Sequence, residues 1–540
     1  MNSLRPPVSE AQFRQQLATG HDLVRKREVG KAFALAKQLA GTHPLRAEVW
    51  ALATDAAFYL GKIDTALRLS DRALSLRARE PALKLQRARI LAASRRRKDF
   101  RALALQLRAE AEGKETLLRD MGWLCFRSQM IPEALDFLTA ATRPGPATPH
   151  TLYKLAIVRF ASGQFAAAEQ DIERLLETEP AHGPALYLRS TLRRQTAQAN
   201  HVEDIRRRLD AGLKLEWHKG LVLYALAKEL EDLGDHAASF DALARGAAIM
   251  RASLDYDVQA DVTGMAEIAA AFATPSTGQP APGSQAEPDV IFIVGMPRSG
   301  TTLVERLLVQ SGKVVSGGEP TDLDAILRQA GQQQRASMPG ATLAEAIASA
   351  DLAALGQEYL RGLREMVPGD HVIIDKLPRN FLHCGAILRA LPRARIIHLV
   401  RDPLDSCYAM YKTAFFNAYE FSYTQEELAE YFIAYRKLMA HWHQAMPGRI
   451  LDVRYEDLVA DTANQARRLY AWCGLPWTEQ ALETPGEDKA FATASAAQVR
   501  EPVHRRSVGS ALRHREGLAV LAERLAAAPE LGWSLPAMAD

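Results

Sequence analysis

Cysteine, long apolar runs and net charge are all scarce in this sequence. The four cysteines (Cys125, Cys384, Cys407 and Cys473) lie far apart and form no metal-ligand spacing, which indicates a reduced protein. No stretch reaches the roughly 18 continuous apolar residues of a membrane-spanning helix, and the first residues lack the apolar segment of a secretory signal. A net charge of +3 gives no reason to expect bulk affinity for nucleic acid or membranes. We therefore expect a cytoplasmic protein with no membrane span and no nucleic-acid partner.

The chain is long enough for two or three domains, since single hydrophobic cores rarely exceed about 300 residues. Its 48% apolar and 24% charged residues are typical of a globular protein. A Pro/Gly/Ser-rich stretch over residues 274–289 has almost nothing to bury and is typical of a linker. We predict a helical array over residues 11–255, a connector with the linker over 256–288, and an α/β domain over 289–535.

A period of 34 residues organises the first half. Gly61 and Gly163 occupy equivalent turns and are separated by three periods, with Gln129 one period before Gly163. Small residues recur five positions after these turns, at Ala66, Ala134 and Ala168. The segment near Arg95 lacks the glycine. An irregular helical bundle is the alternative to a regular array.

Paired helices with this period and with small residues at their crossings resemble the tetratricopeptide repeat. Such arrays present a concave groove to a peptide or protein. The resemblance therefore implies a peptide or protein partner, bound for substrate recruitment or self-association. A passive scaffold is an equally weighted alternative, because a fold alone does not determine function.

The second half begins with a strand, a glycine-bearing loop and a helix. Val290–Gly295 is a continuous apolar run of the kind found in buried parallel strands, and the segment after residue 302 has helical spacing. Strand, loop and helix N-terminus together form an anion site, because free N–H groups and the helix dipole converge there. Further strands are predicted over 372–374, 395–400 and 450–453, each followed by a helical segment. The pattern predicts a doubly wound parallel sheet.

The loop lacks one residue of the phosphate loop of nucleotidases. Gly295 and Gly300 have the spacing of Gly-x4-Gly-Lys-Ser/Thr, but Thr301 stands where the lysine belongs. That lysine balances the β- and γ-phosphates of a nucleoside triphosphate. Its replacement argues against ATP or GTP hydrolysis and favours a ligand with a single phosphate here, held by Arg298 and loop amides.

Several motifs in order resemble sulfotransferases that use 3′-phosphoadenosine 5′-phosphosulfate. They are Pro297-Arg-Ser-Gly-Thr-Thr302, Gly318-Glu319, Asp375-Lys-Leu-Pro378, Val400-Arg-Asp-Pro403, Arg454-Tyr-Glu-Asp-Leu458 and Ser495-Ala-Ala-Gln-Val-Arg500. Their order over about residues 290–515 is similar to tyrosylprotein sulfotransferases and, with the repeats in front, to bacterial tetratricopeptide-sulfotransferase proteins. The resemblance implies metal-free transfer of a sulfuryl group to an acceptor hydroxyl.

The resemblance implies two catalytic side chains. Glu319 matches the general base that removes the acceptor proton. Lys376 follows a strand at the carboxyl edge of the sheet, where a cation stabilises the charge that develops on the departing nucleotide. A helix N-terminal charge is the alternative for Glu319, and a surface salt bridge is the alternative for Lys376.

The remaining site residues are expected to bind the donor nucleotide. By the resemblance, the 5′ end is held by Arg298, Ser299, Gly300, Thr301 and Thr302. Arg401 matches the 3′-phosphate arginine, and Tyr455, Ser495 and Arg506 match other contacts. Ala409 stands where the family has a serine; either Ser406 or Lys412 compensates, or the 3′-phosphate is held less tightly. No aromatic residue is evident in the closing segment 508–512, which puts that assignment in doubt.

Two other functions fit the same sequence. A P-loop kinase needs acidic magnesium ligands near the loop, for which Asp375 and Asp402 are candidates. A non-catalytic adaptor would combine the repeats with a degenerate nucleotide-binding domain. For a sulfotransferase, the acceptor hydroxyl is on protein tyrosine, a sugar, a lipid or a small molecule.

Overall fold

Helices account for about three quarters of residues 9–273 of the computed structural model. The structure describes residues 9–143, 145–273, 288–367, 369–416, 418–483 and 501–535. The predicted linker and Ser495 lie outside these residues. The chain separates into an N-terminal unit, residues 1–154, and a C-terminal unit, residues 155–540.

Fifteen helices precede the first strand in the described residues. They are α1 (Glu10–Arg25), α2 (Val29–Thr42), α3 (Ala47–Tyr59), α4 (Ile63–Leu76), α5 (Pro81–Ala93), α6 (Arg97–Glu110), α7 (Glu115–Arg127), α8 (Ile131–Ala141), α9 (Pro149–Ala161), α10 (Phe165–Thr178), α11 (Gly183–Thr191), α12 (Val202–Asp210), α13 (Glu216–Leu233), α14 (His236–Ala252) and α15 (Val258–Ala271).

The 34-residue period is confirmed in the backbone. A residue with a left-handed φ follows the first helix of successive pairs, and these residues are 34 positions apart: Arg27, Gly61, Arg95, Gln129 and Gly163, with φ between 59° and 78°. Five positions later stands a side chain with no exposed surface, namely Ala32, Ala66, Phe100, Ala134 and Ala168. The tight turn and the close helix crossing therefore recur even where the glycine is replaced, and the region has the tetratricopeptide type of fold.

The second half contains the predicted parallel sheet. Its strands are β1 (Val290–Gly295), β2 (Val314–Ser316), β3 (Val372–Asp375), β4 (Arg395–Val400) and β5 (Ile450–Arg454). All neighbours are parallel, in the order β2-β3-β1-β4-β5. The chain moves from β1 to one side of the sheet for β2 and β3, and then to the other side for β4 and β5. The topological switch point therefore lies at β1, where folds of this class bind ligands.

The helices of this half are α16 (Thr301–Val309), α17 (Asp322–Arg335), α18 (Leu343–Ala348), α19 (Leu352–Met366), α20 (Cys384–Ala390), α21 (Pro403–Tyr411), α22 (Gln425–Ala445), α23 (Tyr455–Ala460), α24 (Thr462–Cys473) and α25 (Ala519–Ala526). The side chains of β1 are fully buried, because helices cover both faces of a parallel sheet. In the described part of the chain, every helix is too short or too polar to span a bilayer.

Helix α15 lies within the segment predicted as a connector. It packs against α18 and α22 of the sheet domain. Arg251, at the end of α14, donates to both carboxylate oxygens of Glu427 on α22, at 2.7 and 2.8 Å. The last repeat helices are thus bonded to the sheet domain within the C-terminal unit. The boundaries 11–255, 256–288 and 289–535 stay a prediction.

Candidate active site at the carboxyl edge of the sheet

Each of the five strands is followed by a residue or loop that the sequence analysis predicts to be part of the site. Glu319 follows β2, Lys376 follows β3, and the glycine-bearing loop follows β1. Arg401 follows β4 and Tyr455 follows β5. Because the strands are parallel, all five ends meet at one edge of the sheet, and adjacent strands are about 4.8 Å apart. In the spatial order of the strands, the row runs from Glu319 through Lys376, the loop and Arg401 to Tyr455.

The loop after β1 has the strained backbone of an anion cradle. Gly295, Arg298 and Gly300 have φ of 147°, 64° and 106°. Glycine is required at position 300, because a Cβ there would lie 2.6 Å from Cδ2 of Tyr455. The helix α16 begins directly at Thr301, so its N-terminal amides and dipole are next to the loop.

A pocket opens above this loop. It is lined by three groups of residues. The loop and α16 contribute Arg298, Gly300, Thr301, Thr302, Leu303 and Arg306, and the segments after β4 and β5 contribute Arg401, Ala409, Lys412, Tyr455 and Val459. The C-terminal segment contributes Glu501, Pro502, Val503, His504, Ser507 and Ser510. We call it the loop pocket. It joins residues predicted to bind the 5′ and the 3′ ends of one nucleotide.

Two guanidinium groups meet in the loop pocket. Arg401 donates from Nη1 to the carbonyl oxygen of Arg298 at 3.0 Å, and its guanidinium lies 4.8 Å from the ring centroid of Tyr455. Its buried Nε has no hydrogen-bond partner among the described residues. Burial, and to a smaller extent the charge of Arg401, lowers the pKa of Arg298 from its ordinary value. Two arginines that line the same pocket favour an anionic ligand there.

The C-terminal segment is attached to the pocket by hydrogen bonds. Arg401 donates from Nη2 to the carbonyl oxygen of Ser507 at 2.6 Å. Asp405, in the first turn of α21, accepts from the backbone N–H of Gly509 at 2.6 Å and of Ala511 at 2.8 Å, and from the hydroxyl of Ser510 at 3.3 Å. We call these bonds to Asp405 the clasp. They hold residues 507–511 over the pocket without an aromatic side chain.

At the other end of the row, Glu319 and Lys376 form an ion pair, which we call the edge pair. Nζ of Lys376 donates to Oε1 of Glu319 and lies 4.0 Å from Oε2 of Glu305, on α16. The Lys376 side chain is only 2% exposed, whereas that of Glu319 is 31% exposed. Burial alone would lower the pKa of Lys376, but the charges of Glu319 and Glu305 raise it, so the ammonium stays protonated. Lys376 is thus a buried cation, not a surface one.

The two carboxylates considered as magnesium ligands are occupied. Asp375 is fully buried and accepts from the hydroxyl of Tyr359 and from the N–H of Leu377 at 2.9 Å. Burial raises the pKa of Asp375 to about 7. Asp402 caps α21 and accepts from Nε1 of Trp533 at 2.8 Å. Neither carboxylate is placed as a magnesium ligand beside the loop.

Three predicted donor contacts are placed differently from the rest. Ser299 is buried beneath the loop, and Ser406 is buried within α21, so neither lines the loop pocket. Ala409 on α21 and Lys412, directly after this helix, line the pocket instead. Arg506 does not line the loop pocket and forms an ion pair with Glu501.

Sequence reasoning missed Glu305, which lies near Lys376, and several residues of the loop pocket. Glu305 comes four positions after Thr301 in α16, so helical periodicity predicts that the two side chains lie on the same face of this helix. Arg306 is buried and donates to the carbonyl oxygen of Glu501 at 2.9 Å. Ser507 and Ser510 enter the pocket from the C-terminal segment, and nothing in their sequence context indicates this position.

Two histidines and an aspartate lie together, on β4 (His398), α22 (His443) and β5 (Asp452). Oδ1 of Asp452 is 2.8 Å from Nδ1 of His398 and 3.0 Å from Nε2 of His443. Nε2 of His398 is also hydrogen-bonded to the hydroxyl of Tyr435. These bonds account for the cluster without a ligand.

Comparisons with known proteins give the family of the second half. The sequence model of the Sulfotransferase family matches residues 288–479. An uncharacterized protein of Aquifex aeolicus is 27% identical over 407 residues, which are 73% of this chain and 52% of that protein. Omega-hydroxy-beta-dihydromenaquinone-9 sulfotransferase of Mycobacterium bovis is 31% identical over 111 residues, which are 19% of this chain and 29% of that enzyme.

A third relative matches 230 residues of the chain. It is a candidate protein-tyrosine sulfotransferase of Caenorhabditis briggsae, 24% identical over 230 residues, which are 41% of this chain and 80% of that protein. The chain spans about half the length of the Aquifex protein and less of the mycobacterial enzyme. Residues 288–479 therefore match the model of the sulfotransferase family, and repeats of the tetratricopeptide type precede them in this chain.

Proposed function

We propose that this chain transfers a sulfuryl group from 3′-phosphoadenosine 5′-phosphosulfate to an acceptor hydroxyl, with Glu319 as the general base. The observation that carries the proposal is the row of residues at the five strand ends. It has a carboxylate paired with a buried lysine at one end and a pocket with two arginines at the other. The family match over residues 288–479 supports the same chemistry.

The donor would occupy the loop pocket. Arg298, Thr301 and Thr302 suit the 5′ end, because one phosphate between a guanidinium and a helix N-terminus needs no further lysine. Gly300 leaves the space that a side chain would fill, and Ser299 supports the loop from below. Arg401 suits the 3′-phosphate. Tyr455 orients Arg401, since the guanidinium of Arg401 lies over the tyrosine ring.

The edge pair would carry out the transfer. Glu319 takes the proton of the acceptor hydroxyl as the acceptor oxygen forms its bond to sulfur. The bond from sulfur to the bridging oxygen of the donor breaks, and its electron pair stays on that oxygen. Lys376 stabilises the negative charge that develops there, which leaves adenosine 3′,5′-bisphosphate as the second product.

We propose a protein tyrosine as the acceptor. An aromatic cluster adjoins Glu319: burial, followed by the charge of Glu319, raises the pKa of the Tyr419 hydroxyl above its ordinary value. The Tyr419 ring is 4.9 Å from that of Phe415, and Phe421 stacks on Tyr431 at 3.6 Å. A phenol ring packs well against such a cluster. The nematode relative supports tyrosine, whereas the mycobacterial relative supports a lipid hydroxyl.

The decisive experiment uses the full chain and labelled donor. Incubation with tyrosine-containing peptides and with a hydroxylated lipid should label the peptides, and labelling should be lost in Glu319→Gln. Labelling of the lipid alone would overturn the tyrosine assignment. Absence of labelling on every acceptor, in protein that still binds adenosine 3′,5′-bisphosphate, would favour the non-catalytic adaptor.

A titration tests the donor separately. Adenosine 3′,5′-bisphosphate should bind more tightly than ATP with magnesium, and magnesium should not change turnover. The reverse preference would favour the P-loop kinase, for which Asp375 and Asp402 are poorly placed. We also propose that the repeats bind a peptide or protein. The four cysteines are free and buried, which supports a cytoplasmic location.

A further inference from the structure

A second lysine–glutamate pair connects the repeat helices to the loop pocket. Nζ of Lys412, at the end of α21, lies 2.8 and 2.9 Å from the two carboxylate oxygens of Glu231. Glu231 belongs to α13, a helix of the repeat region, 181 residues earlier in the chain. The hydroxyl of Tyr408 donates to the same carboxylate at 3.0 Å. We call Glu231 and Lys412 the bridging pair.

Lys412 belongs to the wall of the loop pocket. It lies there with Ala409, one helical turn earlier, and with Ser510 of the C-terminal segment. Ala409 offers only a methyl group to a ligand. Lys412 is therefore the residue of α21 that can give a charged hydrogen bond to a phosphate near Arg401.

The carboxylate of Glu231 opposes such a phosphate. Its side chain is 18% exposed, and that of Lys412 is 31% exposed, so solvent screens the pair only in part. Burial alone would raise the pKa of Glu231, but the charge of Lys412 and the hydrogen bonds from Lys412 and Tyr408 hold it below its ordinary value. The group thus carries a full negative charge at neutral pH, beside the part of the pocket assigned to the 3′-phosphate.

We propose that Glu231 of the repeat region determines how tightly the loop pocket holds a 3′-phosphate, because it competes with that phosphate for Lys412. This inference rests on the proposed function, since it requires a donor with a 3′-phosphate. Binding of the phosphate exchanges one anionic partner of Lys412 for another, while the 5′ end is unaffected. Glu231 is a positioning and specificity residue and takes no part in the transfer itself.

The exchange couples the repeats to the donor. A ligand that draws α13 away from α21 would free Lys412 and strengthen donor binding. By reciprocity, donor binding would strengthen the binding of that ligand to the same extent. A repeat region that merely tethers the catalytic domain has no such effect.

Calorimetric titration of the full chain with two nucleotides tests the inference. Adenosine 3′,5′-bisphosphate and adenosine 5′-phosphate differ only in the 3′-phosphate, so the ratio of their affinities isolates that subsite. Glu231→Gln keeps the shape and removes the charge. It should raise bisphosphate affinity about five- to tenfold and leave monophosphate affinity within about twofold. Lys412→Met should lower bisphosphate affinity about tenfold, and in the double variant Glu231→Gln should have no further effect.

Glu216→Gln is the matched control, since it removes an exposed carboxylate at the start of the same helix. It should leave both affinities unchanged. Unchanged or weakened bisphosphate binding in folded Glu231→Gln would overturn the inference, as would equal changes for both nucleotides. If Glu231→Gln does not fold, Lys412→Met alone decides, because an unchanged ratio would exclude Lys412 as a 3′-phosphate ligand. Wild-type protein that prefers ATP with magnesium would instead overturn the proposed function.

Discussion

The edge pair and the bridging pair contain the same two residue types but expose opposite partners. In the edge pair the lysine is 2% exposed and the glutamate 31%, so the carboxylate is the group that can reach a ligand. In the bridging pair the lysine is 31% exposed and the glutamate 18%, so the ammonium is the group that can reach one. The less exposed member of each pair holds the other in place through the ion pair. The same two residue types thus present the proposed base at one end of the site and the proposed anion ligand at the other.

Substitution of Glu319 should have the largest effect. Glu319→Gln removes the proposed base and is expected to reduce turnover about 10²- to 10⁴-fold. Affinity for adenosine 3′,5′-bisphosphate should change by less than about threefold, because the loop pocket is at the other end of the row. Turnover is measured with labelled donor. The control is Asp322→Asn, an acidic residue three positions later, and near-equal losses in the two variants would contradict the assignment.

Substitution of Lys376 should be nearly as severe. Lys376→Met leaves Glu305 and Glu319 without their cation, and breaking a buried pair in this way costs about 3–5 kcal/mol of stability. Turnover should fall about 10²- to 10³-fold in the fraction that stays folded. Thermal unfolding and labelled-donor assays measure the two effects. Lys412→Met should cost less than about 1 kcal/mol, because the bridging lysine is more exposed. Equal destabilisation by the two variants would remove the distinction between the pairs.

Asp375, next to Lys376, shows what burial does to a carboxyl with neutral hydrogen-bond partners. Its folded pKa of about 7 lies above the ordinary value of 3.8, so the folded state binds the proton more tightly. The corresponding stability is present below about pH 4 and is lost as the pH rises to about 7. The free energy of unfolding should fall between pH 5 and pH 8 in the wild-type protein. In Asp375→Asn this fall should be smaller by roughly 2–4 kcal/mol. An unchanged slope would show that Asp375 titrates normally.

The smallest expected effect is the coupling energy of the bridging pair. A double-mutant cycle with Glu231→Gln and Lys412→Met should give about 0.5–1 kcal/mol, since part of the attraction is screened by solvent. The same cycle on Glu319 and Lys376 should give a larger value. Urea unfolding of the four proteins in each cycle provides the measurement, and a bridging value above the edge value would reverse the comparison.

The sequence allowed the sheet and most of its functional edge to be predicted. The strands β1, β3, β4 and β5 lie where continuous apolar runs predicted them, and Gly295 and Gly300 identified the loop. Strand β2, with three residues, was too short to leave a pattern. Glu319 and Lys376 were assigned by family motifs, and the pairing of β2 with β3 brings them together. Local patterns predict such elements because the signal and the structure cover the same few residues.

Contacts between distant segments were not predictable from a single sequence. Nothing around Glu231 distinguishes it from a solvated glutamate of a repeat helix, since its partner Lys412 lies 181 positions later. The clasp depends on Asp405 meeting residues 509–511 across more than 100 positions. Ser406 and Lys412 stay alternatives in the sequence, because tertiary packing, and not the helix itself, determines which residues of this segment meet the pocket.

The clasp implies an order for the departure of products. A nucleotide that leaves the loop pocket across the C-terminal segment has to separate residues 507–511 from Arg401 and Asp405. The acceptor side, at Glu319, has no such closure among the described residues. We therefore expect the sulfated acceptor to leave first and the spent nucleotide to leave slowly. Release of the bisphosphate, and not the transfer of the sulfuryl group, would then limit the turnover number.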